Sequence, residues 1–157
     1  MKRKLRVLEY ICGGCGCAYR AGQVTGSYGT LGFWAETGKY QAVIDAIGDT
    51  LIVAVGAAVR GHPAAWSVDD LTCGAITQRV FARLSDPAPD GSRYSRDTKP
   101  ACPECGACTP RHWQSREPPE LVELEVPDLT HDDWDHRPPA GQAALITAAV
   151  DQEMPED

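Results

Sequence analysis

Tyr10-Ile11-Cys12-Gly13-Gly14-Cys15-Gly16-Cys17-Ala18-Tyr19 and Lys99-Pro100-Ala101-Cys102-Pro103-Glu104-Cys105-Gly106 are the two stretches on which the fold of this 157-residue chain turns. Each contains Cys-x-x-Cys-Gly. Two thiolates on one tight turn can reach a single ion, and two such turns supply a tetrahedral set. The glycine after the second cysteine permits a backbone conformation in which amide N–H groups face the sulfurs and offset their charge. The expected ligands are Cys12, Cys15, Cys102 and Cys105, with residues 16–101 between the two turns.

Outward from the first turn, Leu5-Arg6-Val7-Leu8-Glu9-Tyr10-Ile11 partly alternates and is rich in strand formers, so a strand is expected to run into Cys12. Ala18-Tyr19-Arg20 is its expected hairpin partner. Gly22 to Gly38, with Tyr28, Phe33 and Trp34 among five glycines, predicts one or two short strands. Tyr40 to Arg60 carries Val43, Ile44, Ile47, Leu51, Ile52, Val55, Ala58 and Val59 at three- and four-residue steps, which predicts a helix ended by Gly61 and Pro63. Gly48 and Gly56 weaken it. The alternative is a shorter helix followed by a buried strand from Thr50 to Val55.

A second helix is expected after Ser67 as N-cap, with Asp69 and Asp70 in its first turn. Its apolar stripe would be Leu71, Ala75, Ile76, Val80 and Leu84. Asp86-Pro87-Ala88-Pro89-Asp90-Gly91 closes it. Arg93 to Thr98 is expected to be extended and Leu121 to Val126 to be a strand. A terminal helix is expected over 139–153, with Ala144, Leu145, Ala148 and Ala149 on one side. The predicted class is α+β, a small antiparallel sheet around the thiolates with two inserted helices and a short C-terminal helix. The expected organisation is a 1–126 domain with a helical insertion at 39–85, then an acidic segment over 127–157.

The net charge of −7 is unevenly spread. Residues 1–20 hold Lys2, Arg3, Lys4, Arg6 and Arg20 against Glu9, whereas residues 116–157 hold Arg116 and Arg137 against twelve carboxylates. Such an acidic end repels a phosphate backbone and attracts a basic partner. Seven cysteines is an odd count that fits bound metal in a reducing compartment better than a disulfide framework. No leader pattern follows Met1-Lys2-Arg3-Lys4, and Leu51 to Val59 is about half the length of a membrane span. A cytoplasmic protein with no membrane partner is expected.

The two knuckles resemble those of rubredoxin-like zinc ribbons. The resemblance covers about twenty residues. It implies that Cys12, Cys15, Cys102 and Cys105 hold one zinc, with iron as the other ion that four thiolates accept. A closed four-sulfur site is most often structural. The segment between the knuckles is longer than family members usually have, and a small electron carrier would not need it.

Cys17, Cys73 and Cys108 are left over. Cys102-x-x-Cys105-x-x-Cys108-x-x-x-His112 echoes an iron–sulfur run without its final cysteine and proline. Cys17, Cys108 and His112 would need a fourth ligand to bind a second zinc. His131-Asp132-Asp133-Trp134-Asp135-His136 reads as a solvated acidic loop anchored by Trp134. There is no Ser-His-Asp order, phosphate-cradling glycine loop or His-Glu-x-x-His run, so the chain is expected not to be an enzyme. The expectation is a zinc-stabilised protein-binding module of inhibitor or immunity type. Trp113, Trp134, Asp132, Asp133 and Asp135 would meet a basic partner. The alternatives are nucleic-acid binding through Lys2, Arg3, Lys4, Arg6, Arg93, Arg96, Lys99 and Arg111, and electron transfer through iron.

Overall fold

A computed structural model describes residues 2–25 and 29–156, so Tyr28 lies outside the described residues. The chain is α+β, with two antiparallel sheets and four α-helices among the described residues. It divides into two units: residues 1–45 with 87–129, and residues 46–86 with 130–157. This grouping differs from the expected division at residue 126. The helical insertion shares a unit with the C-terminal segment.

The first unit holds every strand. β1 (Lys2–Cys12) is central: β2 (Ala18–Val24) pairs one edge from Leu5↔Val24 to Ile11↔Ala18. The other edge is shared end to end by β7 (Leu121–Glu125), opposite Lys2 to Arg6, and β6 (Pro110–Ser115), opposite Leu8 to Cys12. A second sheet runs β4 (Gln41–Asp45), β3 (Thr30–Ala35) and β5 (Tyr94–Ser95). The β1 strand, its hairpin return, the extended segment before the second knuckle and the strand after Leu121 were all legible from residue type. β6 was not: Pro110-Arg111-His112-Trp113-Gln114-Ser115 has little apolar alternation, and its pairing with β1 defines it.

The partial alternation of β1 has a specific cause. Leu5 and Tyr10 are five residues apart, so in an unbroken strand they point to opposite faces. Leu5 joins Val43 and Val126 in one buried cluster, with Val24 and Val122 against it. Tyr10 and Cys12 join Tyr19 and Cys102 in another. One strand thus serves a core on one face near its start and a core on the other face near the knuckles.

The second unit holds α1 (Thr50–Gly61), a 3₁₀ turn (Pro63–Ser67), α2 (Asp70–Leu84), the single turn α3 (Asp132–Asp135) and α4 (Pro139–Glu153). α1, α2 and α4 pack on one another through Leu51, Ile52, Val55, Val59, Ile76, Val80, Phe81, Ile146, Ala149 and Val150, all buried. Each of these side chains larger than alanine contributes about 1.5–3 kcal/mol on burial.

The expected helix over 40–60 is corrected. Its first part is strand β4, and neither the continuous helix nor the helix-then-strand alternative is formed. Ala42, Val43 and Ile44 are consecutive and all buried, as suits a strand covered on both faces. Over so few residues that run also satisfies a helical period. The helix starts at Asp49, whose Oδ1 accepts the Ile52 N–H at 2.9 Å. For α2 the cap is Asp69, which accepts the Thr72 N–H at 2.7 Å. Ser67 instead closes the 3₁₀ turn by donating to Ala64 at 2.8 Å. Leu71 lies five residues, about 140°, around the helix from Ile76, and it is exposed rather than part of the stripe. Ala75 is exposed too. In α4 the inward residues are Ile146, Ala149 and Val150, with Ala144 and Ala148 outward.

Candidate metal centre

β1 delivers Cys12 at its last position, and the chain turns back through Cys15 into β2. The second turn repeats the first. Gly16 N–H donates to the Cys12 carbonyl at 3.0 Å and Gly106 N–H to the Cys102 carbonyl at 2.8 Å. Cys12 N–H donates to Cys17 and Cys102 N–H to Ala107, both at 2.9 Å. Gly16 and Gly106 have φ of 77° and 78°, the left-handed region in which a Cβ is strained. The two turns are clamped together by Gly13, whose N–H donates to the Thr109 carbonyl at 3.0 Å. A Cβ on Gly13 would lie 2.4 Å from that same oxygen. The Gly13-Gly14 pair was the signal in the sequence for this close approach.

The four expected ligand atoms, the Sγ of Cys12, Cys15, Cys102 and Cys105, lie within 4.8 Å of one another. Cys12 Sγ is 3.5 Å from Cys105 Sγ, and Cys15 Sγ is 3.7 Å from Cys102 Sγ. A regular tetrahedron with ~2.3 Å metal–sulfur bonds has edges of about 3.8 Å. The cysteines are therefore arranged to bind a metal ion, as in a zinc-ribbon-like site. Cys12 and Cys102 face the buried cluster, and Cys15 and Cys105 face outward.

The electrostatics favour a cation. The Cys15 and Gly14 amides, 3.5 and 3.3 Å from Cys12 Sγ, lower that thiol to about 6. Cys15 receives help from the Cys17 amide, yet the neighbouring thiols of Cys17, Cys102 and Cys105 push it up to about 12. Four sulfurs this close cannot all ionise without a positive charge among them, and a bound divalent ion removes all four protons.

The support beneath the knuckles is aromatic. Tyr10 and Tyr19 stack at 5.2 Å, and the Tyr19 hydroxyl donates to the Pro100 carbonyl at 2.8 Å. Tyr19 thereby ties β2 to the approach of the second knuckle, a role that residue type alone did not reveal.

Among the described residues no second metal-ligating group of three or more forms, so the alternative of a second zinc on Cys17, Cys108 and His112 is not assembled. Cys17 packs against the Tyr10–Tyr19 cluster. Cys108 Sγ sits 3.7 Å from the Glu36 carbonyl, and burial raises that thiol. Cys73 lies on α2, with Sγ 4.0 Å from the Val68 carbonyl.

The expected partner-contact residues divide. Trp113 is 46% exposed on β6, with Lys99 Nζ 4.8 Å from its ring centroid. Trp134 is 7% exposed and belongs to the core of the helical unit, so it is an anchor and not a contact. Its Nε1–H donates to the Gln142 carbonyl at 3.4 Å. Asp135 bonds His131 and Asp133 bonds Arg137, while the Asp132 N–H donates to Asp86.

The basic start of the chain is met by acid. Lys2 stands opposite Glu125 and Lys4 opposite Glu123 in the β1–β7 register, and Arg3 bonds Asp128 at 3.1 Å. Directly opposed charges of this kind stabilise a sheet modestly.

No protein-family model, curated protein or solved structure matches the chain. No helix among the described residues is long and apolar enough to cross a membrane.

Proposed function

We propose that this chain is a non-catalytic, zinc-stabilised protein-binding module whose single ion is structural. The observation that carries the metal half is the convergence of four Sγ atoms at tetrahedral spacing from two matching knuckles. With four protein sulfurs and no open position, such a site holds a fold together and offers no place for substrate. Zinc is preferred over iron because closed four-sulfur sites are most often structural, and the knuckles resemble those of a rubredoxin-like ribbon.

Support for the binding half comes from the surface. Trp66 and Leu71 are 86% and 87% exposed and lie within five residues of each other, beside Asp69 and Asp70. Large apolar side chains rimmed by acid suit a basic protein partner with an apolar centre. Asp132 and Asp133 extend the acidic character in the same unit. An inhibitor or immunity-type protein acting on a basic enzyme has this chemistry. The opposed Lys–Glu pairs of β1 and β7 weigh against nucleic acid.

Native mass spectrometry and absorption of the purified chain test the ion. One zinc per chain and no visible colour are expected, whereas a red ferric site would favour electron transfer. Affinity capture from the native cells, washed at rising salt, tests the partner. The expected result is a basic protein released as salt screens the contact. Recovery of nucleic acid, or of no protein, contradicts the reading.

A further inference from the structure

The strand-bearing unit contains a small cavity of about 70 Å³ lined by the side chains of Gln23, Trp34, Gln41, Arg96, Thr98 and Lys99, with Val24 and Gly32 completing its wall. No carboxylate lines it, although the chain carries 22 acids against 15 Lys and Arg residues. Its polar groups are donors in excess. Arg96 Nη1 donates to the Gly32 carbonyl at 2.7 Å and its guanidinium lies 5.9 Å over the Phe33 ring, so the group is held in place. Lys99 is oriented by the Trp113 ring. Gln23 Oε1 accepts from the Tyr10 hydroxyl at 2.9 Å, which leaves the amide nitrogen as its remaining polar end. Gln41 is spent on the β2 backbone, bonding the Gly22 carbonyl at 3.2 Å and the Val24 N–H at 3.1 Å. Trp34 Nε1–H is buried and has no acceptor among the described residues. A buried donor without an acceptor is costly and uncommon.

Two cations, a hydroxyl, an amide and an unanswered indole N–H thus line a space in which side-chain donors outnumber acceptors and the Gly32 carbonyl is already taken by Arg96. Water would bring donors and acceptors alike, while an oxyanion brings acceptors and negative charge. The volume is far below the several hundred Å³ of a nucleotide or drug-sized site. We propose that the cavity binds a small tetrahedral oxyanion, phosphate or sulfate. Arg96 and Lys99 neutralise it, and Thr98, Gln23 and Trp34 donate further hydrogen bonds. The site is distinct from the thiolate centre but braced by it. Lys99 lies three residues before Cys102, and the Ala101 N–H donates to the Gly38 carbonyl at 2.9 Å.

The test is calorimetric titration of inorganic phosphate into the full, metal-loaded chain at low ionic strength, with chloride as the matched control. Metal content is measured on the same sample, so loss of the ion and loss of the anion are read separately. One-to-one saturable binding is expected. Arg96→Gln should weaken it roughly ten-fold, as removal of a charge-assisted bond does. Trp34→Phe, which keeps the ring and deletes the N–H, should weaken it about three-fold. Arg111→Gln on β6, an equal change of charge outside the lining, should leave it within about two-fold. If Arg96→Gln does not fold, Thr98→Val and Lys99→Gln carry the same comparison. Heat no greater than with chloride, or equal weakening by Arg111→Gln, overturns the proposal.

Discussion

Replacing Asp49 by alanine should remove two interactions at once, and their separation is measurable. Asp49 Oδ1 caps α1, and Asp49 Oδ2 lies 2.9 Å from His131 Nε2. The other imidazole nitrogen, Nδ1, is 2.9 Å from Asp135 Oδ1, so both ring nitrogens face carboxylates and the ring is held as imidazolium. His131 is 8% exposed, with Phe81 and Trp134 edge-on to it. Burial opposes the charged form, but the hydrogen bonds and charges of Asp49 and Asp135 outweigh it, and the pKa is raised. Asp86 also lies in its field. Losing a cap costs about 1 kcal/mol. Breaking a buried pair costs about 3–5 kcal/mol when the other charge is stranded. Here Asp135 remains and His131 can shed its proton, which places Asp49→Ala near 3 kcal/mol and Asp49→Asn, which keeps a capping oxygen, near 2 kcal/mol. Urea unfolding followed by far-ultraviolet circular dichroism reads this unit, since all four helices belong to it. The pH dependence follows from the sign of the shift. A raised folded pKa means the stabilisation is complete below the unfolded value of about 6.5 and is lost as pH rises through the higher folded value. The advantage of the parent over His131→Gln should therefore shrink from pH 6 toward pH 9. An advantage that grows over that range, or an Asp49→Ala loss no larger than the cap alone, refutes the argument.

Other outcomes are expected at the thiolates and helices. Cys102→Ser should abolish stoichiometric metal by mass spectrometry and lower the thermal midpoint, while Cys17→Ser should leave one ion per chain. Because the ligands must be deprotonated, metal should dissociate as pH falls, seen as release to a chromogenic chelator. Gly16→Ala and Gly106→Ala each place a Cβ at positive φ and should cost about 1–2 kcal/mol with weaker metal retention, whereas Gly61→Ala, which meets no neighbouring atom, should be tolerated. Glu153→Gln removes ion pairs to Arg79 at 3.1 Å and Arg83 at 2.5 Å. Since Arg79 is exposed and Arg83 and Glu153 are only partly buried, the loss should be about 1 kcal/mol by urea unfolding.

The acidic C-terminal third illustrates how charge counted along a chain differs from charge at a surface. Glu123 and Glu125 face Lys4 and Lys2, Glu153 binds two arginines of α2, and Asp135 serves a buried histidine. Trp134 stands among the acids in sequence and in the core in space. Within that stretch the tryptophan is core while Asp132 and Asp133 stay exposed. Leu71, assigned to a helix stripe by pattern, and Trp66, which no pattern singled out, are left outside.

The knuckles, their ligands, the hairpin beside them, the α+β class and the positions of α2 and α4 were determined by the sequence alone. They rest on local rules: ligand spacing, glycine at a left-handed turn, capping and helical period. Tertiary structure decided what local rules leave degenerate. Ala42-Val43-Ile44 became a strand because β3 and the Leu5 cluster cover it, which a short apolar run does not announce. β6 exists because β1 offers an edge to a segment with little pattern of its own. The partners of His131 and the carbonyl that holds Arg96 come from positions up to 82 and 64 residues distant, and only the folded chain brings their charges and hydrogen bonds within reach.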